Sequence, residues 1–319
     1  MTFRRLTNEL LSIWLLLLGF VQFARADYAW FARSGHLHTK LGFDYFLSSE
    51  NYSFDSVREN ISFQNQPVDF SANSFWVESE YGIIEGVACS LRGTGWAGNL
   101  NVLEGGETIA SGSGLQDIDA SLKWRLFEQP VSTLELSLRV PTYPRIVAAT
   151  DLVSGDGSVD FAVDLHLGFS KERFRWVLSP GLVGRSAGYP PQLRFKAAAE
   201  IRTAPAYFRL FAHSRLSLGY SQLLDSSDGE HDAPGSGGSY ARLSGGPTGI
   251  DVGLQSGVEL LHGYFVEGFV AHSVWGVRYP NAVTLGLTLH LVWDVNVPDT
   301  RIRIKEVPLD KAPTVESKS

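Results

Sequence analysis

From Asp117 to Leu126 the chain alternates without a break. Ile118, Ala120, Leu122, Trp124 and Leu126 are apolar, whereas Asp117, Asp119, Ser121, Lys123 and Arg125 are polar. A period of two puts each set on its own face of a β-strand; on a helix the same charges would spread around the axis. Leu134–Val140, Val159–Phe169, Leu193–Ile201 and Val283–Trp293 repeat the pattern. Read throughout, it predicts twelve strands, at 37–46, 71–81, 87–96, 115–126, 132–141, 157–169, 174–185, 192–202, 206–220, 249–260, 263–275 and 283–293. No helix is needed beyond the N-terminus.

The connections alternate as well. Residues 82–86, 127–131, 170–173, 203–205 and 261–262 are short links, while 47–70, 97–114, 142–156 and 221–248 are long and rich in Gly, Ser, Asn and Asp. Two further links on the long-loop side, 186–191 and 276–282, are shorter. Short turns at one end and long loops at the other mark a membrane barrel, and an even strand number closes it from one side. The apolar faces carry no Asp, Glu, Lys or Arg, with His272 as a titratable exception near a strand end. A charge at the lipid midplane costs roughly 2–4 kcal/mol, so this exclusion fits a lipid-facing surface. Aromatic residues at strand ends, among them Tyr45, Phe75, Tyr81, Trp96, Trp124, Trp176, Trp275 and Trp293, suit the two interfacial girdles. The expected fold is all-β: a single antiparallel transmembrane β-barrel of about twelve strands, with short periplasmic turns and long extracellular loops.

The N-terminus agrees with such a destination. Arg4 and Arg5 precede an apolar run from Leu10 to Val21, followed by Ala24-Arg25-Ala26. This is the charged region, apolar core and small-residue cleavage site of a secretory signal. It predicts a signal peptide at 1–26 cleaved after Ala26, a barrel at 27–293 and a periplasmic C-terminal tail at 294–319. Cleavage removes three arginines and one glutamate, taking the net charge from −7 to −9. The single cysteine, Cys89, excludes a disulfide framework and a multi-cysteine metal site. The acidic balance argues against a nucleic-acid partner. No cofactor or metal is expected, and the acids of the 221–248 loop match no EF-hand spacing. The expected surroundings are outer-membrane lipid and, during biogenesis, the barrel-assembly machinery.

The polar faces would line the interior. They carry a basic wall of Arg175, Arg185, Arg194, Lys196, Arg202, Arg209 and Arg215, with Glu200 its one acid. Elsewhere acids prevail, and Glu78, Glu80, Asp117, Asp119, Asp251, Glu259 and Glu267 form an acidic wall. Two readings stay open. A transverse field could guide a polar or anionic solute. Alternatively, paired charges could fill a bore of this size and brace the wall.

Catalysis finds little support. His36, His38, His166, His213 and His290 have no adjacent serine in a recognisable motif, and no G-x-S-x-G, H-E-x-x-H or P-loop occurs. The expected function is therefore a porin- or transporter-like channel, not an enzyme, for a small polar or aromatic solute or linked to exopolysaccharide export. A structural or surface-interaction barrel with a filled, non-conducting lumen comes second, and a barrel lipid hydrolase third.

Specific residues add a family likeness. Gly112-Ser113-Gly114-Leu115-Gln116-Asp117-Ile118-Asp119-Ala120-Ser121-Leu122-Lys123-Trp124-Arg125 resembles the G-x-G-D-x-x-L-x-x-K-Y-R strand of transporter-like outer-membrane barrels, a group that includes the phenol-degradation MetA-pathway proteins. Glu80-Tyr81-Gly82-Ile83-Ile84-Glu85 is similar to their E-Y-G-L-T-D turn. Val140-Pro141-Thr142-Tyr143 with Gly155-Asp156-Gly157-Ser158-Val159-Asp160 is similar to their L-P-x-Y and G-x-G-x-x-D strand ends. The order most resembles the XagA-type barrels of exopolysaccharide and biofilm operons. Gln116 and the C-terminal tail depart from the pattern. The resemblance implies an outer-membrane location and a part in export or uptake, and brings no catalytic residues.

Overall fold

The computed structural model describes residues 31–52, 56–63, 66–142, 158–186, 189–203, 205–219, 248–261, 264–277 and 279–294. The expected signal peptide and all of the expected tail beyond Asp294 lie outside the described residues, as does most of the 221–248 loop. The strands run β1 (His36–Tyr52), β2 (Arg58–Asn60), β3 (Ser62–Phe63), β4 (Gln66–Ile84), β5 (Val87–Val102), β6 (Thr108–Glu128) and β7 (Val131–Pro141). They continue as β8 (Asp160–Lys171), β9 (Phe174–Arg185), β10 (Gln192–Thr203), β11 (Ala206–Ser217), β12 (Thr248–Leu261), β13 (Tyr264–Val277) and β14 (Tyr279–Asp294).

Consecutive long strands pair antiparallel from β4 to β14, and β1 pairs with both β14 and β4. The sheet therefore closes on itself as a twelve-stranded barrel, with the short β2 and β3 in the connection between β1 and β4. Closure removes the unpaired sheet edges that a bilayer cannot hydrate.

Polarity is inverted relative to a water-soluble protein. Leu91, Leu122, Trp124, Leu178, Leu210 and Leu254 point outward and stay exposed, Leu254 at 60% of its surface. Asp164, Glu200 and Arg209 point inward and are buried, Asp164 at 1%. In water a continuous exposed apolar face of this kind would drive association; in hydrocarbon it is the correct solvent-facing surface.

Three expected loops differ: within 47–70, β1 runs on to Tyr52, β4 begins at Gln66, and β2 and β3 lie between them. Residues 97–114 are largely paired strand: β5 runs to Val102, β6 starts at Thr108, and Asn99 and Gly98 lie opposite Ser111 and Gly112. Their small polar residues read as loop in sequence, yet the glycines are needed within the sheet, because a Cβ on Gly98 would sit 2.4 Å from the Trp96 ring. Likewise β13 and β14 extend to Val277 and Tyr279, leaving one residue between them where 276–282 was expected as a loop.

The walls consequently differ in height. β4 and β6 have 19 and 21 residues, whereas β8 to β11 have 12 each. At about 3.3 Å per residue and the usual tilt of some 40°, twelve residues rise about 30 Å, just spanning an apolar band of about 25 Å. The taller wall projects past the band at the loop end.

Candidate functional site: the barrel interior

Three zones stack along the interior. At the turn end, the segment before β1 folds into the opening. Phe31 and Ala32 are buried, the Ala32 amide donates to Glu80 (2.6 Å), and the Arg125 guanidinium lies 4.9 Å from the centre of the Phe31 ring. The Gly35 amide donates to the Gly82 carbonyl (2.8 Å). Gly82 must be glycine here, since a Cβ would stand 1.9 Å from the Arg33 carbonyl oxygen. At the loop end of the tall wall, Ile61, Val68, Phe70, Trp96 and Leu100 form an apolar cluster inside the barrel.

Between them lies a polar belt. In it, Glu78 accepts from Lys40 (2.8 Å), and Glu80 accepts from Lys123 (2.5 Å) as well as from Ala32. Asp117 stands 3.7 Å from Arg139, which also pairs with Asp160. Asp119 faces Arg92 on one side and Arg139 on the other in the strand register. Arg92 itself lies over the Trp76 ring, 4.2 Å from its centre. Of the other acids, Asp251 accepts from Tyr279 (2.6 Å) and Ser273 (2.8 Å). Glu267 accepts from Tyr207 and from Gln255 (3.0 Å) and has His290 at 2.8 Å. Glu259 is buried near the turn end of β12.

The basic residues are gathered on β9, β10 and β11. Arg175 faces Glu200 in register. Glu200 accepts from Arg202 (2.5 Å) and pairs with Arg209, which also donates to Gln255 (3.0 Å) and lies over the Tyr207 ring. Arg185 pairs with Asp160 (3.3 Å) and stacks on Tyr189. Arg194 grips Asp164 through two guanidinium nitrogens. Strand pairing thus brings Asp160 and Asp164 of β8 against cations that stand alone in the linear sequence. Lys196 and Arg215 differ: among the described residues no carboxylate lies within ion-pair distance of either.

Sequence reasoning missed two features. One is the set of inward rings. Trp96, expected in an interfacial girdle, instead points inward with 7% exposure; Phe211, Phe269 and Tyr279 also point in. Each such ring lies against a glycine, Trp96 on Gly98, Phe211 on Gly253, Phe269 on Gly286 and Tyr279 on Gly249. Glycines on polar faces beside an unplaced aromatic are the signal that could have revealed them. The other feature joins β7, β8 and β9. His166 has Nδ1 2.8 Å from the Ser179 hydroxyl and Nε2 2.8 Å from the Glu135 carboxylate. The trio has the members of a nucleophilic triad, but Ser179 is 1% exposed, so its hydroxyl can brace strands yet cannot meet a substrate carbonyl as it stands.

No protein-family model matches the chain, and no curated protein matches it by sequence. Solved structures match through the fold. The crystal structure of an outer membrane channel from Pseudomonas putida F1 superposes with a TM-score of 0.63 at 11% identity, covering 85% of this chain and 100% of that one. The β-domain of a Bordetella autotransporter gives 0.44 at 12% identity, covering 80% and 99%. The CymD monoaromatic hydrocarbon channel gives 0.41 at 8% identity, covering 82% and 88%. The first likeness establishes a shared architecture: this chain has the twelve-stranded fold of an outer-membrane barrel.

Proposed function

We propose that the protein is a channel of the bacterial outer membrane that passes a small polar or aromatic solute through the barrel interior. The observation that carries this reading is the uneven pairing of the belt. A wall built only for rigidity would neutralise its cations, because an unpaired buried charge is costly. Here most interior cations have a partner, while half-buried Lys196 has no carboxylate within ion-pair distance, and neither has Arg215, which is exposed. Inward aromatic rings beside them supply apolar contact surface. The architecture shared with the Pseudomonas putida channel supports the reading, as does the resemblance to the phenol-degradation and XagA-type groups. A part in exopolysaccharide export stays with that resemblance alone. Secretion through the N-terminal signal, insertion by the barrel-assembly machinery and a periplasmic place for the 294–319 tail complete the proposal.

A second reading is a closed barrel that acts structurally or through its loops. It is favoured by Phe31 and Ala32 lying buried in the turn-end opening. Conductance of the refolded full-length chain in planar bilayers separates the two. The channel reading expects discrete conductance steps whose ion selectivity shifts toward cations when Arg194, Lys196 and Arg209 are changed together to Gln. A trace that stays closed, both in the natural chain and in a Glu80→Ala variant that frees Ala32, overturns it in favour of the closed barrel.

A further inference from the structure

We propose that β10 and β11 carry a binding subsite for a small amphipathic anion, a carboxylate borne on a flat apolar body. This rests on the channel reading and narrows its solute class. In the strand register Arg194 lies directly opposite Arg215, and Lys196 directly opposite His213. All four belong to the interior-facing set, so they form one block two residues wide and two strands across. Like charges placed directly opposite destabilise a sheet, and among the described residues no other two arginines or lysines of the interior are placed so. Lys40 and Lys123 hold glutamates, Arg92 and Arg125 lie on aromatic rings, and Arg139 and Arg185 share Asp160. Within the block Asp164 hydrogen-bonds Arg194; it and Glu135 also attract Lys196, and Asp160 attracts Arg215, each without a hydrogen bond or ion pair. Asp251, opposite His213 on β12, is committed to the hydroxyls of Tyr279 and Ser273. Two cations therefore converge with no carboxylate within ion-pair distance of either among the described residues.

A carboxylate placed between Lys196 and Arg215 would accept charge-assisted hydrogen bonds from both. The Arg fork suits its two oxygens, and the Lys ammonium adds a point charge. The body of the ligand has its own surface. One inward position nearer the turn end, Phe211 meets Phe269 edge to face, with ring centres 6.2 Å apart. Gly253 makes this possible, since a Cβ there would stand 2.3 Å from Phe211 Cζ. The Phe211 ring is thereby laid along the wall rather than across the bore. A flat apolar group reaching down from the carboxylate would pack against this ring pair.

Calorimetric titration of the refolded full-length chain in detergent micelles tests the subsite, using benzoate, the neutral benzyl alcohol and inorganic sulfate as probes. Saturable benzoate binding is expected, at least tenfold tighter than benzyl alcohol or sulfate. Changing Lys196→Gln and Arg215→Gln together should weaken benzoate at least tenfold and leave benzyl alcohol unchanged, with folding checked by heat-modifiable gel migration. Equal binding of benzoate and benzyl alcohol overturns the proposal, as does a double variant that binds benzoate like the natural chain. Sulfate binding as tightly as benzoate overturns its apolar half. Should the double variant fail to fold, the probe comparison on the natural chain still decides. Benzoate binding in micelles with closed bilayers would leave the subsite standing and remove the channel; conductance without benzoate binding would remove the subsite alone.

Discussion

The wall of β4, β5 and β6 and the wall of β8 to β11 face the same lipid yet fill their interiors in opposite ways. The first is tall, and its loop-end half packs Ile61, Val68, Phe70, Trp96 and Leu100 into a dry cluster. The second is short, barely spans the hydrocarbon, and carries cations held by Asp160, Asp164 and Glu200. Lipid dictates only the outer face. The inner face is free to be apolar where a wall must support itself beyond the membrane, and charged where it lines the span. Stability of the tall wall should therefore depend on packing and that of the short wall on charge pairing.

The largest effect should follow Asp164→Ala. It strips Arg194 of its carboxylate in a block that already holds Lys196 and Arg215, and breaking a buried pair costs about 3–5 kcal/mol. Urea unfolding monitored by tryptophan fluorescence should show this loss, reduced at high salt. Trp96→Ala should cost about 3 kcal/mol through the cavity it leaves, with no salt dependence. Equal salt responses for these two variants would break the contrast. Outward substitutions should ignore it: Leu178→Arg on the short wall and Leu122→Arg on the tall one should each cost about 2 kcal/mol in lipid. Unequal costs would mean that the two walls do not share one solvent. The smallest shift belongs to Arg215→Gln, which removes a like charge opposite Arg194 and should raise stability by up to about 1 kcal/mol. A loss of similar size would reveal a partner for Arg215.

Much of the barrel was legible because period two holds along most of the membrane-spanning length of the long strands. Residues 174–185 and 192–202 as read from alternation match β9 and β10 within a residue. The tall wall was underestimated because its upper half replaces alternation by small residues, Gly98, Asn99, Ser111, Gly112 and Ser113, which have loop-like composition but pair in register. Bulges hid more. Between Thr94 and Gly95 the partner strand passes from Asp117 to Leu115, so the inward set on β6 changes from odd to even numbers. One added residue exchanges the two faces of a strand, so simple alternation misassigns side chains beyond it.

The sequence by itself determined that this chain forms strands, that one face of each is free of charge, and that short and long links alternate, because these properties are local and repeat every second residue. Alternation also groups seven cations on one set of strands and seven acids on others, as an expectation about the interior. Only the tertiary structure decided which charges meet. Pairing β8 with β9 and β9 with β10 in their particular registers lets Asp160 and Asp164 meet Arg185 and Arg194, while Lys196 and Arg215 have no carboxylate within ion-pair distance. Pairing is a property of distance between neighbouring strands, and that distance depends on strand register and bulges rather than on spacing along the chain.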